Sequence, residues 1–253
     1  MKVQVKKVYG YEGAIRSLYM SKGHLTEELE AEIDQACRDA LDRDGRFIKI
    51  DENDSDLEAS IQKAAAFTVM MDKVLKIGKM HITLLKFINF DILTRDIHRA
   101  GQDDIDAHAE RFDNRIVRLS SRLSTAEELS AKSDYYEGKI KTDAEILLDS
   151  GLIYSLPDRY EDMSGVTWVK TVNGYVREEY ANDKDVLRGL YMLSFPSTFT
   201  AQISLAQFAH VYKCRNANTK ANPEVKEWAE SVADQLFEFY PGFTKELLLA
   251  IDN

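Results

Sequence analysis

Apolar and polar positions alternate along residues 2 to 9, "KVQVKKVY", as in a strand with one face on a core. The period then changes. Ile33, Ala36, Cys37, Ala40 and Leu41 recur at helical spacing within residues 26 to 44, with Thr26 placed to cap the start and Gly45 to end it. "DENDSD" follows and resembles the opening of a calcium loop. Asp56, however, stands where such a loop needs glycine, and Gln62 where it needs a bidentate glutamate. The segment reads instead as a polar turn capping a helix over residues 56 to 76. "HITLLKFIN" reads as a buried strand, with a short helix as the alternative, and Asp91 then caps a brief helix through Arg99. Residues 165 to 180, "GVTWVKTVNGYVREEY", predict a hairpin turning at Asn173-Gly174. Helices are predicted over 183–193 and 205–215. Asn222 and Pro223 open another at its N-cap and first turn, with Val225, Trp228, Ala229, Val232 and Leu236 on its stripe. Pro241 ends that region and a short helix closes the chain. Repeats, low-complexity tracts and Pro/Gly/Ser linkers are all lacking. The pattern predicts one mixed α+β domain over residues 1–253, its helices packed around a twisted, mainly antiparallel sheet.

Composition narrows the chemistry. The chain has 253 residues, 44% of them hydrophobic, enough for a sizeable core. Its formal net charge of -10 argues against a nucleic-acid partner, whose phosphates need a basic face. A few converging arginines can still hold a small anion. "MKVQVKKVYG" has no apolar leader core, and no apolar run reaches the roughly 18 residues of a membrane span. A cytoplasmic protein with no membrane partner is expected. Cys37 and Cys214 sit in helix-like positions far apart and read as reduced core thiols. His24, His81, His98, His108 and His210 lack the HxxxH or HExxH spacing of a metal site, so no metal is expected. Asp103, Asp104, Asp106 and His108 read as a solvated turn rather than a ligand set.

Four arginines stand out. Arg95 and Arg99 are four apart on the predicted helix, where like charges repel unless an anion or the nearby Asp91 and Asp96 offset them; the acidic neighbours favour ion pairing. Arg188 lies three after Asp185, a spacing that suits a surface ion pair or an oriented phosphate fork. Arg215 continues the apolar stripe of Leu205, Phe208 and Tyr212. Either it points inward toward an anionic partner, or it closes the helix end and reaches water; the spacing supports both equally.

Taken in chain order, these residues resemble the flavin-dependent thymidylate synthase family, ThyX. That family carries R-H-R-x-x-S-x-N-E-x-S-x-R-Y. Laid without gaps on "RAGQDDIDAHAERF", its first arginine falls on Arg99, its last on Arg111 and its aromatic on Phe112. Asp185 and Arg188 match an acid three before an arginine. "SLAQFAHVYKCR" fits a later N-x-R-x-L frame, with Ser204, Ala206 and Phe208 in its three places and Arg215 at a further arginine. The likeness spans roughly residues 80 to 240. It implies a deoxyuridylate site at Arg111, Asp185, Arg188 and Arg215, and a flavin site at Arg99, His81 and His210; no residue is thereby made catalytic. It also implies FAD reduced by NADPH, methylenetetrahydrofolate as carbon donor, thymidylate as product, and a homotetramer. Departures fall mainly on the flavin side. There Ala100 and Gly101 replace the His and Arg of the triplet, and Ser204 and Ala206 the later Asn and Arg; in the nucleotide loop Ala109 replaces the family's Ser, and Ala107 its Glu. Weak FAD binding is therefore expected. The alternative is a relative that binds a pyrimidine nucleotide without flavin, with altered chemistry or none.

Overall fold

A computed structural model describes residues 1–48, 57–106, 115–118, 148–151, 155, 157–171, 174–182, 196–217 and 221–251. These residues form seven α-helices and two sheets, a mixed α+β architecture. The backbone divides into two compact units. One comprises Met1–Lys2, Thr94–Asp103 and Val117–Phe199; the other comprises Val3–Leu93, Asp104–Ile116 and Thr200–Asn253.

The chain opens with β1 (Lys2–Tyr9), α1 (Tyr11–Ser21) and α2 (Glu27–Ala40). Thr26 caps α2 as expected, its hydroxyl accepting from the Leu29 N–H at 3.3 Å. The helix stops earlier than Gly45. Asp42 Oδ1 accepts from the N–H groups of Asp44 and Arg46, both at 2.8 Å, and so offers the backbone a tight turn in place of another helical one. Gly45 closes that turn at φ +80°; a Cβ there would lie 1.7 Å from the Val8 carbonyl oxygen, so only glycine lets the turn dock on β1. The polar segment 51–56 lies outside the described residues, and α3 (Leu57–Gly78) follows.

"HITLLKFIN" is not a strand. Ile82–Lys86 form a 3₁₀ helix, and the strand comes next, as β2 (Asn89–His98). The predicted helix at Asp91 is corrected with it: Phe90, Ile92 and Thr94 alternate into the core, and β-branched residues favour the strand over a cap at Asp91. Asp96, at φ +56°, then shifts the alternation so that Ile97 and His98 are both buried. Arg95 and Arg99 therefore share no helix face; Arg95 belongs to β2, and Arg99 opens α4 (Arg99–Asp106).

Beyond β3 (Arg115–Arg118) comes a separate small sheet of β4 (Arg159–Glu161), β5 (Thr167–Thr171) and β6 (Gly174–Arg177). The predicted hairpin is present and antiparallel. Its register pairs Thr171 with Gly174, so Gly174 belongs to β6 rather than to the turn; β4 adds a third strand that the sequence pattern did not reveal. The turn from β4 into β5 is organised by Asp162, which accepts from Ser164 N–H, Ser164 Oγ–H, Val166 N–H and Trp168 Nε1–H. These donors, Ser164 first, hold its carboxyl far below the usual range.

The predicted helix at 183–193 lies outside the described residues. β7 (Pro196–Ser204) leads directly into α5 (Leu205–Ala217), then α6 (Pro223–Phe239) and α7 (Lys245–Ala250). Asn222 caps α6, with Pro223 in its first turn and Val225, Trp228, Ala229, Val232 and Leu236 all buried, as predicted. The larger sheet has the order β1-β2-β7-β3. Two aromatic clusters fill the core of the second unit. Tyr11, Phe47, Phe67, Tyr240 and Phe243 interlock edge-to-face and stacked, and Phe208 sits edge-on to both Phe90 and Trp228. Each such side chain contributes about 1.5–3 kcal/mol by leaving water.

Candidate functional site

Of the predicted site residues that the structure describes, Arg99 lies on α4, His210 and Arg215 lie on α5, and His81 precedes the 3₁₀ helix. Arg99 opens α4. Its guanidinium Nε lies 3.3 Å from Asp103 Oδ1, one turn on, and its side chain is about a third exposed. Such a pair is worth roughly 0.3–0.5 kcal/mol, little enough for an anionic ligand to displace it. Gln102 is fully buried in the same helix. Its carbonyl oxygen accepts from Ser197 Oγ–H, and its Nε2 has no hydrogen-bond partner among the described residues.

α5 begins where β7 ends. The Leu205 N–H donates to the Ile88 carbonyl at 2.8 Å, and Ser204 Oγ accepts from the Gln207 N–H at 3.3 Å. Every residue from Leu205 to Tyr212 is buried, so the first two turns are enclosed all round. Ala206 is among them, with no exposed surface. Arg215 lies in the last turn, with 14% of its side chain exposed. Its Nη2 donates to the Asp104 carbonyl at 3.0 Å, and its Nη1 lies 3.9 Å from Asp104 Oδ2. Arg215 thus turns onto an internal partner rather than out to water.

His210 is 8% exposed on α5, with Cys214 Sγ 3.7 Å from its Nε2 and 3.9 Å from its Nδ1. The i, i+4 spacing in "HVYKC" on a predicted helix is the sequence signal for this contact. His81 is exposed and caps the 3₁₀ helix before β2. Arg111, Asp185 and Arg188 lie outside the described residues. Among those described, no three His, Cys, Asp or Glu side chains converge as a metal would require, and no helix is long and apolar enough to cross a membrane. Cys37 and Cys214 are half-buried rather than core thiols, because each lies where its helix meets the surface.

No protein-family model matches the sequence, and no curated protein matches it either. Solved structures do match, and they define the class: a mixed α+β fold of the flavin-dependent thymidylate synthase type. Two are ThyX structures from Helicobacter pylori, each in complex with FAD and dUMP. Both give a TM-score of 0.52, at 11% and 12% identity; the match spans 95% and 98% of this chain and 99% of each of theirs. At that identity, the likeness is one of fold.

Proposed function

We propose that this chain is a ThyX-like enzyme of pyrimidine deoxynucleotide synthesis, taking deoxyuridylate and methylating it at C5 to give thymidylate. The observation that carries this reading is a shared fold along nearly the whole of both chains, with neighbours that hold FAD and dUMP. Arg111, Asp185, Arg188 and Arg215 bind the nucleotide in this reading. The arginines supply charge-assisted forks for phosphate and base carbonyl, and Asp185 orients Arg188. In this reading Arg99, His81 and His210 are the residues assigned to the flavin. When bound, flavin supplies the two-electron chemistry of a reductive methylation. The protein's own groups bind the nucleotide, fix its base and exclude water. NADPH and methylenetetrahydrofolate are the co-substrates, and a homotetramer is the assembly.

A second reading rests on Ala206. Where the resemblance has an arginine, this chain has a methyl group with no exposed surface, and Ala100 and Gly101 also replace charged or imidazole groups. On that reading, the protein binds the nucleotide and has lost the flavin.

Thermal melts with deoxyuridylate, deoxyuridine and deoxyadenylate test the nucleotide site. Deoxyuridylate alone should raise Tm clearly, since only binding to the native state stabilises it; equal shifts from all three, or none, reject it. An FAD titration then separates the two readings. Saturable micromolar binding, with turnover in the presence of both co-substrates, supports the enzyme. No binding supports the nucleotide-only relative.

A further inference from the structure

β1 stands at one end of the larger sheet, so the ladder covers only one of its two flanks. The N–H and C=O groups on the other flank are a template for an incoming strand. There Gln235, on α6, takes the place of a neighbour. Its Oε1 accepts from the Val5 N–H at 2.8 Å, and its Nε2 donates to the Val3 carbonyl at 3.0 Å. A residue of a parallel strand makes the same two bonds, straddling the residue between them, here Gln4. The carboxamide is itself held in place. Its Nε2 lies 3.3 Å from both the carbonyl and the hydroxyl oxygen of Ser231, one turn earlier. Further along β1 the alternation slips by one residue: Lys6 and Lys7 are both exposed, and Val8 is the next to be buried. The Val8 N–H then donates to the Asp44 carbonyl at 2.9 Å. The flank is thus met twice, by a side chain of α6 and by the turn after α2, with two lysines between.

We propose that Gln235 acts as a surrogate strand residue, and that its carboxamide keeps a second copy of this chain from pairing with β1. The pairing it blocks follows from the ladder. Val3 and Val5 direct their backbone groups to the same flank, because alternate residues of a strand do so. A two-fold axis beside Gln4 therefore lets Val3 of one copy exchange both bonds with Val5 of the other, and the reverse. The two Gln4 side chains then stand directly opposite each other. Such a pair uses the same Val5 N–H and Val3 carbonyl that Gln235 occupies, so the two arrangements exclude each other. The slip at Lys6–Lys7 and the Asp44 contact end the available edge, and the two-fold closes on itself rather than growing a fibre. The device is independent of nucleotide and flavin binding.

The test compares the wild type with Gln235→Leu, which keeps an apolar stem and loses both polar atoms. Mass is followed by light scattering over a concentration series, and the Val5 amide by hydrogen exchange. In Gln235→Leu the mass should rise above the wild-type value as concentration increases. At low concentration its Val5 amide should exchange roughly tenfold or more faster than in the wild type, as the loss of a protecting bond implies, and should slow again as copies pair. Adding Gln4→Lys, at an exposed position, sets like charges directly opposite each other and should return the mass to the wild-type value. If Gln235→Leu does not fold, Gln235→Glu takes its place. Its carboxylate accepts from Val5 but cannot donate to Val3, so the same changes are expected at smaller size. A folded variant with the wild-type mass at every concentration, a mass gain that Gln4→Lys leaves intact, or a wild-type Val5 amide that exchanges as fast as an open one would each overturn the proposal.

Discussion

Arg215 is held by an internal partner, and that sets what its removal should do. A guanidinium that is 14% exposed and donates to the Asp104 carbonyl loses a hydrogen bond to a charged group when truncated. Arg215→Ala should therefore lower unfolding free energy by about 1.5–3 kcal/mol in urea titrations. Arg215→Lys should recover only part of that, because an ammonium cannot reproduce the planar fork. An unchanged urea midpoint would show that the Asp104 contact contributes nothing. Gln207 should behave in the opposite way. Replacing a buried, unpartnered carboxamide with an apolar side chain of similar length removes an unmet desolvation cost, so Gln207→Met should raise stability by about 1–3 kcal/mol. Destabilisation would mean that the amide has a partner in solution.

Elements differ in how openly the sequence declares them, and the differences have physical causes. α6 is legible because every signal agrees: an Asn cap, Pro in the first turn and a continuous apolar stripe. β2 is hidden because Asp91 imitates a helix cap, Thr94 counts as polar although it is buried, and Asp96 breaks the alternation near the end. Read as a helix, that stretch places Arg95 and Arg99 on one face; as β2 followed by α4 it does not, and Arg99 pairs with Asp103. Arg215 was legible as an arginine on an apolar stripe, but its carbonyl partner comes from over a hundred positions earlier in the chain, beyond any local pattern. β4 has three residues, all exposed, and leaves no periodic trace. The turn after it supports a prediction of its own. Because hydrogen bonds depress the carboxyl of Asp162, its contribution is fully present above the unfolded-state value of about 3.9 and is lost as pH falls toward the lower folded-state one. The indole N–H resonance of Trp168 should stay in its bonded position at neutral pH and collapse only in strong acid. In Asp162→Ala it should be collapsed throughout. A collapse near neutral pH in the native protein would contradict this account of the turn.

For the whole molecule, a fold can survive at 11–12% identity because burial and periodicity are what it demands, and many side chains satisfy them. Aromatic packing around Trp228 should accordingly dominate stability, and Trp228→Ala should cost about 3–5 kcal/mol by chemical denaturation. A smaller loss would mean that the pocket collapses around the deletion. The sheet order has a consequence for how the chain is made. β7 lies between β2 and β3, yet it is translated roughly a hundred residues after β2. At 5–20 residues per second, a newborn chain carries β2 for about 5–20 s with its neighbour still unwritten. Throughout that interval the flank of β2 is an open edge, a template for any passing strand. A ribosome-bound chain arrested before Pro196 should be digested within β2 and recruit chaperones, whereas one arrested far enough downstream for α5 to emerge should resist. The middle of the sheet is thus the last part to arrive, and birth on the ribosome is its most hazardous moment.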